Sequence, residues 1–296
     1  MAVAALACAS LVQLPPSGAQ TPDARPAGAE AIGAFERDRA LRHVRVLARR
    51  IGVRVRGRPG ERRGARYFAA RMRDLGYDVA VREFDVDGRT SRNVVATWPG
   101  ALRYPVVIGA HVDTVARSPG ANDNASGVAI LLEIARLIAD RPPARFVKLV
   151  AFGSEEYGTD GRHHVGSQVF VNRLDARARR RTPGMVSVDM VADGRPLVVG
   201  TTGLAPAIVA RTAVRRIRKA GIRARFETTC DCSDNGPFER AGIPGAFLWS
   251  GREPNYHLPS DTVRNMSPRD LHRSGRAVRA FVVALSERMI RRFRDR

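Results

Sequence analysis

The sequence predicts an α/β fold: a three-layer sandwich whose mixed, mostly parallel central sheet is flanked by helices. Three observations predict it. Short apolar runs of strand length recur at residues 104–110, 145–152 and 185–191, and such runs fit strands covered on both faces. Between them lie stretches with apolar residues three and four apart, the helical period. An alternating pair, residues 77–86 and 91–98, meets at Asp87-Gly88, a hairpin turn sequence that makes the sheet mixed.

Taken in order, residues 30–48 have helical spacing, with Ile32, Phe35, Val44 and Leu47 near one face. A second helix is expected over about 60–75, stopped by Gly76. The hairpin follows, then the buried strand 104–110. Residues 124–140 form a strongly apolar helix through Val128, Leu131, Leu132, Ala135 and Ile138. Strand 145–152 and strand 185–191 come next, then a helix over 204–220 and a short strand at 246–249. A closing helix is expected over 270–296, started by Ser267-Pro268, with Leu271, Val278, Phe281, Val282, Leu285 and Met289 as its stripe. In sheets of this kind ligands bind at the carboxyl ends of the strands.

The 296 residues are 44% hydrophobic, enough for one sizeable core, and no long linker interrupts them. Residues 1–28 read as a leader followed by a Pro-, Ala- and Gly-rich linker, and residues 29–296 as a single domain. Residues 1–21 carry no charged side chain, and the apolar stretch 2–14 ends at Pro15-Pro16. It is too short to span a bilayer but suits a signal peptide, or a lipoprotein leader around Cys8. The expected location is therefore outside the cytoplasm, secreted or lipid-anchored. No later stretch is apolar enough to cross a membrane. The net charge is +21, almost all from arginine; Lys148 and Lys219 are the lysines. That bias reads as codon usage, and no nucleic-acid motif accompanies it, so nucleic acid is not an expected partner. Cys230 and Cys232 flank one aspartate. No second pair completes a zinc site, and a local disulfide is expected on export.

The chemistry lies at the strand ends. His111 and Asp113 follow strand 104–110, two apart and so on one side of the chain; a carboxylate there can orient a metal-bound imidazole. Asp123 enters an apolar helix from the segment 119–127, where Asp also serves as an ordinary cap. Glu155 and Glu156 are adjacent carboxylates between Gly153 and Gly158. A turn there lets both reach one cleft, one to bind metal and one to move a proton. Asp189 sits inside an apolar strand, where an unpaired carboxylate is costly. His257 lies in a polar loop. His, Asp, Glu, Asp and His are oxygen and nitrogen donors of the kind zinc takes. Two divalent cations would balance Asp123, Glu156, Asp189 and a bridging hydroxide.

In this order the motifs resemble the co-catalytic zinc aminopeptidases, metallopeptidases that include secreted bacterial leucine-type enzymes. The resemblance runs over about residues 55–290, through Asn93-Val94-Val95-Ala96-Thr97, Gly109–Asp113 in sequence GAHVD, the GANDNASG block, Ser154-Glu155-Glu156, Val188-Asp189-Met190 and Tyr256-His257. It implies two zinc ions, with cobalt or manganese as substitutes. His111 and Asp189 would hold one ion, Glu156 and His257 the other, and Asp123 both. It further implies Glu155 as general base, Asp113 behind His111, Tyr256 as a donor to the oxyanion, and a cis bond at Asp123-Asn124. The implied substrates are peptides or proteins. The nearest alternatives are a carboxypeptidase or dipeptidase, and a glutaminyl-cyclase-like acyltransferase. Two departures stand out. Residues 158–166 read GTDGRHHVG, longer than the usual link; their His163 and His164 either reach the cleft or, as expected of loop histidines, stay exposed. Ser233-Asp234-Asn235 replaces a common Ser-Asp-His.

Overall fold

The structure, a computed structural model, describes residue 1 and residues 32–295 except 195 and 252. Residues 2–28 of the expected leader and linker lie outside the described residues. The first helix, α1 (Arg37–Val44), starts later than its periodicity predicts. Glu36 is extended, and its backbone N–H donates to Glu133 Oε1 at 3.1 Å, which fixes the chain just before the first turn. The helix widens into a π-type segment, Arg45–Ile51, that ends at Gly52 with φ 76°. Helix α2 (Pro59–Asp74) carries Pro at its first position and stops before Gly76, as expected.

Strands β1 (Asp78–Val86) and β2 (Arg89–Thr97) form the expected hairpin. Asp87 and Gly88 both have positive φ, the backbone that a two-residue turn of this hand requires. Then follow β3 (Val106–His111), α3 (Gly127–Ile138), β4 (Val147–Phe152), α4 (Val165–Asn172), α5 (Ala176–Arg181) and β5 (Met185–Val188). The remainder is β6 (Leu197–Thr201), α6 (Ile208–Lys219), β7 (Ala224–Thr228), α7 (Asn235–Arg240), β8 (Gly245–Trp249), α8 (Pro268–Val283) and α9 (Glu287–Arg294). The closing helix is thus two helices. Ser286 turns extended and its hydroxyl accepts from the Met289 N–H at 3.4 Å, capping a new start.

The eight strands form one sheet in the order β1-β2-β4-β3-β5-β8-β6-β7. The four central strands β4, β3, β5 and β8 run parallel; β2 and β6 flank them antiparallel. The period-two geometry of a strand sorts side chains to two faces. Val106, Ile108 and Ala110 of β3 and Leu149 and Ala151 of β4 join the larger core, with α1, α2, α3, α6 and α8. Val107, Val150 and Phe152 face the other way, onto Val171 after α4's first turns and Phe238 of α7. Because the four central strands are parallel, their carboxyl ends share one edge, and the polar residues beyond those ends are brought together there.

Candidate metal centre

His111 ends β3, Glu155 and Glu156 follow β4, Asp189 follows β5, and His257 lies in the loop after β8. Asp123 comes from the short irregular segment Ala121–Ser126 that enters α3. Its φ and ψ of −106° and 88° are not helical, so it is not a simple cap. The Asp123-Asn124 bond is cis, as the resemblance implied.

These six side chains converge. Among the described residues, three groups place their donor atoms within 4.8 Å of one another: His111, Asp123 and Asp189; His111, Glu155 and Glu156; and Asp123, Glu156 and His257. The two oxygens of Asp123 point to different histidines. Oδ1 is 3.1 Å from His111 Nε2, and Oδ2 is 3.4 Å from His257 Nε2. Asp189 Oδ1 lies 3.2 Å from His111 Nε2 on the first side, and Glu156 Oε2 lies 2.9 Å from His257 Nε2 on the second. Asp123 thus divides its oxygens between two histidine–carboxylate clusters.

Burial pushes the Glu155 carboxyl well above its usual range, and the neighbouring Glu156 and Asp189 charges add to it against His111. Glu156 is pushed up to about 7, again by burial first and by Asp123 second. His111 is raised: burial opposes its charge, and the carboxylates of Asp189 and Glu155 outweigh burial. Glu156 Oε1 is buried with no hydrogen-bond partner. The protein alone leaves this cluster short of positive charge and short of partners, and its all-nitrogen and oxygen donor set suits zinc. The residues present fit divalent cations.

The surrounding residues hold the donors in place. Asp113 accepts from the backbone N–H of Glu155 at 3.0 Å and of Glu156 at 3.1 Å, so it clamps the two glutamates. Its Oδ1 is 3.6 Å from His111 Nδ1, too long for a hydrogen bond there. Ser233 Oγ donates to Asp189 Oδ2 at 2.9 Å. Asp261 accepts from the Asn122 and Asp123 N–H groups at 2.7 and 3.0 Å, fixing the segment that carries Asp123. Asn124 donates to Val188 O at 3.0 Å, tying that segment to β5. Arg54, fully buried, donates to the carbonyls of Leu47, Gly52, Val112, Pro119 and Gly120. Burial lowers its pKa to about 10, against Asp261 and Asp113, so it stays cationic behind the cluster at neutral pH. Asp234 is fully buried, and burial raises it to about 7 against the charge of His111 and the Ser167 hydroxyl.

Tyr256 is half exposed, its ring stacked on His257 with centroids 3.7 Å apart. His163 and His164 depart from the sequence expectation. His164 is 2% exposed, and its Nε2 lies 2.9 Å from Glu155 Oε1. His163 is half-buried, between Tyr157 and His164. The loop folds inward because Arg56 holds it through the carbonyls of Glu156 and Arg162. Spacing carries no signal for that. Nor did it show Arg54 or Asp261, whose partners lie far off in sequence. Cys230 and Cys232 are joined as a local disulfide, as expected, and Asp231 between them pairs with Arg240.

The model of a family described as Peptidase family M28 matches residues 93–282. The chain is 32% identical to aminopeptidase YwaD of Bacillus subtilis over 207 residues, 66% of this chain and 44% of that protein. It is 30% identical to leupeptin-inactivating enzyme 1 of Streptomyces exfoliatus over 212 residues, 70% of this chain and 47% of that one. The chain therefore spans about half the length of these curated relatives. In fold it matches the solved structure of BSAP, a zinc aminopeptidase from Bacillus subtilis, with a TM-score of 0.79 at 20% identity, covering 88% of this chain and 97% of the other.

Proposed function

The chain belongs to peptidase family M28, and from that premise we propose that it is a two-zinc aminopeptidase releasing residues from the free N-terminus of peptides. The observation that carries this reading is Asp123, whose two oxygens face two separate histidine–carboxylate clusters. His111 and Asp189 would hold one cation, Glu156 and His257 the other, and Asp123 would serve both. Such a metal pair supplies Lewis-acid polarisation of the scissile carbonyl and of the attacking water. Glu155 is the general base. It is buried beside the cluster, its Oε2 4.0 Å from His111 Nε2. It takes a proton from the attacking water and passes it to the leaving amine. Asp113 keeps Glu155 and Glu156 in register through their two N–H groups. Tyr256, beside His257 at the open side, donates to the developing oxyanion. The disulfide at Cys230 and Cys232 supports action outside the cytoplasm, where such bonds persist.

The test is a single peptide prepared with a free and with an acetylated N-terminus, given to the zinc-loaded protein. Stepwise cleavage of the free form alone, abolished by a chelator, is the expected result. Trimming of both forms from the carboxyl end would replace the reading by a carboxypeptidase. Cyclisation of an N-terminal glutamine without cleavage would replace it by an acyltransferase.

A further inference from the structure

The loop 158–166 ends in a pair of histidines whose geometry goes beyond the metal centre. His164 sits at the entrance to α4 with φ 52° and ψ 30°, and its ring is 2% exposed. Its backbone N–H donates to Glu155 O at 2.7 Å, and the next N–H, of Val165, donates to Ser154 O at 2.9 Å. These main-chain bonds lock His164 against the segment carrying Glu155. The side chains then meet again, His164 Nε2 at 2.9 Å from Glu155 Oε1. The other oxygen of Glu155 is left toward His111. On its far side, His164 Nδ1 lies 3.0 Å from His163 Nδ1. One of two ring nitrogens that close must donate to the other.

The Glu155 and His163 contacts together select one tautomer, with Asp231 Oδ1 4.0 Å from His164 Nδ1 as a further neighbour. The Glu155 carboxylate accepts, so His164 Nε2 carries the proton. His164 Nδ1 is then bare and accepts from His163 Nδ1–H. His163 is held in turn against Tyr157, ring centroids 4.4 Å apart, in the more open part of the loop. We propose that His164 is a positioning residue for Glu155: its Nε2–H holds Oε1 and so presents Oε2 to the attacking water, with His163 setting the His164 tautomer. The arrangement needs no charge on His164, and burial keeps its pKa low. This assignment rests on Glu155 being the general base.

Two variants and two readouts test it. His164→Asn removes the donor while keeping a residue that tolerates positive φ. His164→Gln restores an N–H near the place of Nε2. Kinetics on the zinc-loaded protein are expected to show His164→Asn losing kcat by about tenfold or more, the scale of one hydrogen bond to a charged group. KM, zinc content and melting temperature should stay near those of the parent, and His164→Gln should recover most of the kcat. A kcat within twofold of the parent for His164→Asn would overturn the proposal. So would a loss of zinc in step with the loss of activity, which would make the residue merely structural. The second readout is independent of turnover: nitrogen NMR of the histidine rings in the zinc-loaded protein. The neutral Nε2–H tautomer at His164, with its proton resonance broadened or lost in Glu155→Ala, is the expected result. The opposite tautomer, or no response to Glu155→Ala, would overturn the proposal. If the protein cleaves no peptide at all, the peptidase reading falls, and the NMR result still decides the contact.

Discussion

Glu155 and Glu156 are neighbours in sequence, yet their side chains reach different histidines, His164 and His257. That separation follows from the backbone. Ser154 has φ 54°, so the chain turns at the strand end and the two carboxylates enter the cleft side by side. With Glu156 a ligand and Glu155 a base, substitution of each should have a distinct signature. Glu155→Gln keeps the size and the backbone contacts, so zinc content should be unchanged while kcat falls by roughly 10²–10⁴-fold. Near-normal turnover with full metal would remove Glu155 from its role. Asp113→Asn places an amide where two N–H groups now find acceptors. Support of this kind is worth about 10–100-fold in metal affinity or activity, and a zinc competition titration against a chelator should show a loss in that range.

Among the elements, the segment from the end of the π-type turn through the start of α3 depends on one side chain. Arg54 joins Leu47 and Gly52 at the helix end to Val112 beyond β3 and to Pro119 and Gly120 before Asp123. Arg54→Met would fill part of the space but leave those carbonyls without donors. A buried acceptor left unsatisfied costs about 1–3 kcal/mol, and urea unfolding of the metal-free protein should show a loss of at least that size. A change under ~1 kcal/mol would mean that water replaces the guanidinium. The elements that were legible in the sequence are those whose side chains report burial directly. β3, β4 and β5 are unbroken apolar runs because helices cover both faces. β6 and β7 were not read. Leu197–Thr201 is short and follows Gly194, and Ala224–Thr228 alternates only weakly at the sheet edge. His111, Glu155, Glu156 and Asp189 drew notice because each stands at or near the end of an apolar run, whereas Asp123 before a helix and His257 in a polar loop were singled out by the order of the motifs. His164 was not, because its place depends on main-chain bonds to Ser154 and Glu155 that carry no side-chain pattern.

For the whole molecule, the buried acids set how stability responds to pH. Burial pushes Glu61 up to about 7, with the charge of Asp113 adding, and Glu156 and Asp234 rise to about 7 as well. In the unfolded chain these carboxyls ionise near pH 4. Between about pH 5 and 8 the metal-free folded state therefore binds more protons than the unfolded one. The sign is that stability falls as pH rises through this window. Two buried histidines, His43 at about 4 and His164 at about 3, act in the opposite sense only below about pH 6.5. From pH 6.5 to 8 the chelated protein should thus melt at progressively lower temperature, while zinc, which takes deprotonated ligands, should stabilise more at pH 8 than at pH 6.5. A zinc-induced shift that shrinks as pH rises would contradict this. The parallel arrangement of β4, β3, β5 and β8 has a kinetic consequence too. Donors drawn from residue 111 to residue 257 meet only when three separate crossovers have closed, so no local nucleus contains all of them. Metal capture must come after long-range assembly of the chain, and truncated pieces that keep individual motifs should take up zinc no better than unstructured peptides.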